Sequence, residues 1–190
     1  VGGANWQGGV LDPETGILYV SSSTVLRPMS LEKAPQLSDM DYVAYMGNAR
    51  IGPHGLPLVK PPYGRITAIN LNTGEHLWMI PNSDTPEWIK NIPALKGINI
   101  ERTGSPDRVG LMVTKTLLFG GEGSGLYVGD GGGGNIFRAY DKATGKIISK
   151  IELPANQCGI PMTYSINGKQ YIVVAVGAVG HPGELVALSL

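Results

Sequence analysis

Apolar residues along this chain recur in short alternating runs rather than with a helical period. The runs Ile17–Ser22, Arg65–Leu71, His76–Ile80, Gly110–Val113, Leu117–Gly120, Asn135–Tyr140, Ile147–Leu153, Met162–Ile166, Gln170–Val176 and Glu184–Ser189 are bounded by Gly, Asn, Asp or Pro and read as strands. Leu126–Gly129 is a shorter candidate. One stretch, Thr85–Lys96, reads as a helix, with Thr85 as N-cap, Pro86 at the first helical position and Pro93 ending it after about two turns. Ten short strands and one short helix predict an all-β chain.

Two segments repeat. Aligned on their Thr-Gly pairs, residues 65–81 and 138–154 match Ala68 with Ala139, Asn70 with Asp141, Thr73-Gly74 with Thr144-Gly145, and Trp78 with Ser149. Each reads as strand, tight turn, strand. The Asn or Asp bonds backbone N–H groups of the turn. The Gly supplies the positive φ of a three-residue hairpin with a bulge. Residues 12–20 (DPETGILYV) echo the turn and the following strand, without the upstream Ala-containing strand. The aligned units lie 71 residues apart, whereas a plain propeller blade takes about 40–50. The excess falls in two irregular stretches, 24–62 and 82–106, read as inserted loops within one unit spanning 1–190.

Composition sharpens this picture. With 28 glycines and 14 prolines in 190 residues, the pair is nearly twice as common as usual, so much of the chain is turn. Lys and Arg balance Asp and Glu at 15 each, which argues against a nucleic-acid partner. One cysteine, Cys158, excludes a disulfide framework and a cysteine-based zinc cluster; it reads as a small, at least half-buried residue. His54, His76 and His181 form no metal motif, and His181 reads as a loop residue. The glycine runs 120–125 and 129–134 lack the Gly-Lys-Ser/Thr and helix of a phosphate loop. Asp39 and Asp41 fall short of the six to eight oxygens around calcium. Met29, Met40 and Met46, with Leu26, Leu31 and Leu37, are expected to pack against the blades or to be partly disordered in isolation; the alternative is an apolar lid or partner surface. The longest apolar stretch, Tyr171–Val179, is about half a bilayer span. The start at Val1 and the lack of a leader suggest a mature or excised piece.

The spacing A-x-[DN]-x-x-T-G-x-x-x-W at Ala68–Trp78 resembles the tryptophan docking repeat of pyrroloquinoline quinone (PQQ) dehydrogenases, eight-bladed β-propellers. Residues 2–20, 135–146, 158–177 and 183–190 resemble C-terminal segments of that family, in the same order. The resemblance implies about three to four four-stranded antiparallel blades, with Trp78 as an inter-blade wedge and Ser149 a weaker one. It implies a parent enzyme that oxidises a sugar or alcohol hydroxyl by hydride transfer to PQQ, with calcium as Lewis acid and an Asp as base. No match to that Asp or to the calcium ligands occurs here, so no catalytic or metal-binding residue is assigned in this chain. The implied cofactor contacts are Asn135, Asn5 and Trp6. Read from the residues alone, Asn135 and Asn5 are turn residues and Trp6 is core. The implied partners are the substrate, the remaining blades and a quinone or cytochrome electron acceptor, in the periplasm or at the inner membrane. Self-association through bare blade faces is expected of the isolated piece. The competing class is a non-catalytic propeller of PQQ-like repeats that scaffolds an assembly.

Overall fold

The computed structural model describes residues 2–47, 51–125 and 132–189. Strand accounts for 43% and helix for 6%, as expected of an all-β chain. In chain order the strands begin with β1 (Gly9–Asp12) and β2 (Ile17–Ser23). A two-stranded ribbon follows, β3 (Met29–Glu32) with β4 (Val43–Met46), and then β5 (Gly64–Asn70) and β6 (His76–Pro81). A four-residue helix α1 (Glu87–Lys90) leads to β7 (Leu111–Val113), β8 (Leu117–Gly120), β9 (Ile136–Asp141) and β10 (Ile147–Glu152). The chain ends with β11 (Met162–Ile166), β12 (Lys169–Ala178) and β13 (His181–Ser189). The antiparallel sheets are β1-β2-β5-β6, β10-β9-β8-β7 and β11-β12-β13, here called the first, middle and last blades.

The blades stack face to face. Tyr19, Ile66 and Ala68 of the first blade pack on Val109, Leu111, Leu118 and Tyr140 of the middle one. The opposite side of the middle blade, with Met112, Phe119 and Phe137, packs on Ile172, Val174 and Val176 of the last. Adjacent residues such as Leu118 and Phe119 therefore serve different cores, because successive strand side chains point to opposite faces. The outer faces of the two end blades stay bare, with Leu11 and Met79 exposed on one and Met162, Tyr164, Ile166 and Leu185 on the other.

The repeat turns are built alike. The backbone N–H of Gly16, Gly74 and Gly145 donates to the carbonyl of Asp12, Asn70 and Asp141, and each glycine has φ near +70° to +77°. Four residues, not three, lie between the pairs Asn70–Glu75 and Asp141–Lys146. The extra residue lets Asp141 Oδ1 accept from both the N–H and the hydroxyl of Thr144.

Several expectations need correction. The last blade shows three strands, not four, among the described residues. The turn at Asp12 does have an upstream strand, β1, hidden from sequence by its glycines. Stretch 24–62 contains the β3–β4 ribbon, whose Met29, Leu31 and Met46, with Leu26, Leu37 and Met40, are exposed rather than packed on the blades. The helix is one turn, with Pro86 rather than Thr85 at its N-cap, because Thr85 is drawn into contacts with Glu101 and Thr103. His181 begins β13 and pairs with Glu184 at 2.9 Å. Cys158 is exposed. The candidate strand Leu126–Gly129 lies outside the described residues.

Candidate functional site

A polar pocket of about 400 Å3 opens where the segment after β6 meets the ends of β8 and β9. Asn82 fixes that segment. Its backbone N–H donates to Gly64 O at 2.8 Å and its carbonyl accepts from Ser105 N at 2.9 Å. Its side chain donates to Gly121 O at 3.2 Å and accepts from the Tyr140 hydroxyl at 3.3 Å. The chains cross so closely that a Cβ on Gly64 or Gly104 would collide with the Ser105 or Gly64 carbonyl, which is why glycine stands at both places. The next residues, Ser83, Asp84 and Thr85, enter the pocket wall, joined by Glu87, Lys90, Ser105, Glu122 and Asn135.

Behind this wall lies Arg138, which is fully buried. Its guanidinium pairs with Glu122 at 2.7 Å and Asp84 at 3.1 Å, and Lys150 adds a second cation to Asp84 at 3.2 Å. Burial alone would raise the Asp84 pKa, but the Lys150 hydrogen bond and the Arg138 charge outweigh it and hold the carboxyl below its ordinary value. Burial disfavours the Arg138 cation, yet the Glu122 charge leaves its pKa raised. Burial pushes the Tyr140 phenol up to about 12. Nearby, burial raises the Asp107 carboxyl even though it accepts from the N–H groups of Gly125 and Arg108.

Of the residues expected to form a site, Asn135 alone lines this pocket. Its amide nitrogen donates to Glu152 at 3.1 Å and to Leu153 O at 3.2 Å, tying the start of β9 to the end of β10. Both amide hydrogens are thereby engaged, and what remains is the carbonyl oxygen. Asn5 and Trp6 form a separate turn, in which Asn5 Oδ1 accepts from the Trp6 N–H at 2.9 Å. The Trp6 ring is 62% exposed rather than core, and neither residue lines the pocket. Sequence reasoning missed Ser83, Asp84, Glu122 and Arg138. The available signal was a basic residue inside an alternating strand, between Phe137 and Tyr140.

Comparison with known proteins decides the family. The model described as "PQQ: Glucose/ethanol/alcohol dehydrogenase, beta-propeller domain" matches residues 1–172. The chain belongs to this PQQ propeller family. It is 32% identical to quinoprotein glucose dehydrogenase A of Acinetobacter calcoaceticus over 136 residues, covering 72% of this chain and 16% of that protein. It is 30% identical over 213 residues to the glycerol dehydrogenase large subunit of Gluconobacter thailandicus, covering 95% of this chain and 26% of that one. The quinohemoprotein alcohol dehydrogenase of Comamonas testosteroni shares the fold, with a TM-score of 0.63 at 18% identity over 98% of this chain and 26% of that one. The chain thus spans between a sixth and about a quarter of these relatives.

The described residues do not by themselves fit PQQ or a calcium ion. PQQ is a tricarboxylate, and the cations at this pocket are already paired, Arg138 with Glu122 and Asp84, Lys90 with Glu87. Among the described residues no group of three or more His, Cys, Asp or Glu could hold a metal ion.

Proposed function

We propose that this chain is the C-terminal portion of a periplasmic PQQ- and calcium-dependent oxidoreductase that oxidises a sugar or alcohol hydroxyl by hydride transfer to the quinone. The observation that carries the reading is the match of residues 1–172 to the PQQ propeller family. The two bare end faces support it, since further blades stacked there would bury them. In this reading the base, the metal ligands and the countercharges for the cofactor come from those other blades, and a quinone or cytochrome takes up the electrons. This chain supplies amide, indole and hydroxyl groups at the rim: Asn5, Trp6, Asn135 and the wall around Asp84.

The test is dye-coupled dehydrogenase activity with PQQ and calcium. The 190-residue chain alone is expected to be inactive, and the full-length protein active on a sugar or alcohol. In the full-length protein, Asn135→Ala should lower activity or PQQ affinity by about 10-fold, because it removes the free carbonyl oxygen and releases the start of β9 from Glu152 and Leu153. Turnover by the 190-residue chain itself would overturn the reading.

A further inference from the structure

The insert between β6 and β7 closes on itself. The Thr85 hydroxyl donates to Glu101 O at 3.4 Å and accepts from the Thr103 N–H at 3.1 Å, so the two ends of the insert are tied. Between them α1 is followed by a second short turn, Pro93–Leu95, where the N–H of Lys96 donates to Pro93 O at 3.2 Å and that of Ile98 to Leu95 O at 3.0 Å. A crevice of about 680 Å3 is lined by residues from 85 to 100 alone. None of its lining belongs to either inter-blade core.

Two chemistries meet in it. Ile92, Leu95, Ile98 and Ile100 give it apolar walls. Ile98 is 59% exposed, an apolar side chain left in water. Lys90, Asn91 and Lys96 supply the polar part. Lys90 is engaged by Glu87 at 2.6 Å. Among the described residues Lys96 makes no ion pair, and no Asp or Glu lines the crevice.

The lining selects a class of ligand. A small inorganic anion would use the ammonium and leave the walls in water. A neutral hydrocarbon would use the walls and leave the ammonium unmatched. A carboxylate on a hydrocarbon chain uses both, and the one unpaired ammonium calls for one negative charge. The volume falls within the range of small-molecule sites.

We propose that this crevice binds an amphipathic monocarboxylate of the medium-chain fatty-acid class, with Lys96 pairing the carboxylate and the four aliphatic side chains holding the hydrocarbon. The site shares only Thr85 and Lys90 with the pocket at Asp84, and it does not depend on the dehydrogenase reading.

The experiment is calorimetric titration of the full-length protein, without substrate, using octanoate below its micelle concentration. Hexanoate, acetate and the uncharged octanamide serve as comparisons. Octanoate should bind at one site. Hexanoate should bind about 10-fold more weakly, for the loss of two buried CH2 groups. Octanamide should also bind about 10-fold more weakly, for the loss of the charge. Lys96→Gln should bring octanoate down to the octanamide level and leave octanamide unchanged, whereas Ile98→Asp should weaken both. Lys96 and Ile98 are exposed, so neither variant should shift the melting temperature. Lys115→Gln, at an exposed lysine outside the insert, should change nothing. Absence of octanoate binding overturns the proposal. So does octanoate binding that Lys96→Gln leaves intact, or that Lys115→Gln weakens equally. Acetate bound as tightly as octanoate would mark a plain anion site and overturn it too.

Discussion

Trp78, on the last strand of the first blade, lies against Gly145 in the turn of the middle blade. A Cβ on Gly145 would stand 3.0 Å from the indole Cε3. The indole Nε1 donates to Lys142 O at 3.2 Å, the same oxygen that accepts from the Tyr19 hydroxyl at 3.1 Å. Lys142 Nζ returns to Asp12 at 2.6 Å. A single turn thus gathers contacts from three strands of the neighbouring blade.

Removing the indole should therefore loosen the whole junction. Trp78→Ala is expected to destabilise by about 2 kcal/mol more than Trp88→Ala, because both rings are half-buried but Trp78 packs in an inter-blade core and bonds the neighbouring turn, where truncating a Trp costs ~3–5 kcal/mol at full burial. Trp88 lies in α1, outside the inter-blade seams. Denaturant melts of both variants measure this, and equal shifts would remove the docking role from Trp78.

Gly145 and Gly74 separate packing from backbone strain. Both have positive φ, +72° and +77°, in equivalent turns. A Cβ on Gly74 would meet nothing within 4 Å, whereas one on Gly145 meets Trp78 and Ile80. Gly74→Ala should pay the left-handed penalty alone, roughly 1–2 kcal/mol, and Gly145→Ala should cost about 1 kcal/mol more through overpacking. In a Trp78→Ala background that difference should shrink to what the Ile80 contact leaves, a coupling that a double-mutant cycle reads directly.

Stability should decline at both ends of the pH scale. The Lys142 hydrogen bond, with that of Thr15, holds the Asp12 carboxyl below its ordinary 3.8. A depressed folded pKa contributes stability above pH ~3.8, lost as pH falls through the folded value. Tyr140 works oppositely. Its folded pKa of about 12 exceeds the ordinary 10, so its contribution is full below pH ~10 and is lost as pH rises from 10 towards 12. Asp12→Asn should flatten the acid limb and Tyr140→Phe the alkaline limb of a stability profile. Unchanged limbs in these variants would contradict the assignments.

Association of the isolated chain follows from its bare ends. Leu11 and Met79 on the first blade, and Met162, Ile166 and Leu185 on the last, form apolar faces open to water. Such faces drive contact between molecules. Light scattering should show a mass that rises with concentration, and Leu185→Lys with Met79→Lys should lower it. A clean monomer at all concentrations would count against this.

How much of this was legible in the sequence varied with the residues. The repeat turns could be read because Asx, Thr and Gly act locally, through bonds within five residues. Trp78 could be read from its fixed spacing to the Thr-Gly pair. Strand β1 could not, because Gly8 and Gly9 interrupt its alternation. The β3–β4 ribbon was hidden because its Met and Leu face water, so no half-buried alternation marks it. Ser83 and Asp84, within PNSDTP, look like any turn. What singles out Asp84 is Arg138, 54 residues later, a separation to which no periodicity reaches.

The middle blade raises a question of alignment. Its strands are apolar on both faces, so a one-residue slip of β9 would still bury oil on either side. The hydrophobic pattern cannot choose between the two pairings. Arg138 can. In the observed pairing it faces the first blade, where Glu122 and Asp84 await its charge. Slipped by one, the guanidinium would enter the apolar seam of Phe119, Phe137 and Ile172. The buried ion pair thus acts as a key that fits only one register, and replacing all three of its members by apolar residues would remove that selection.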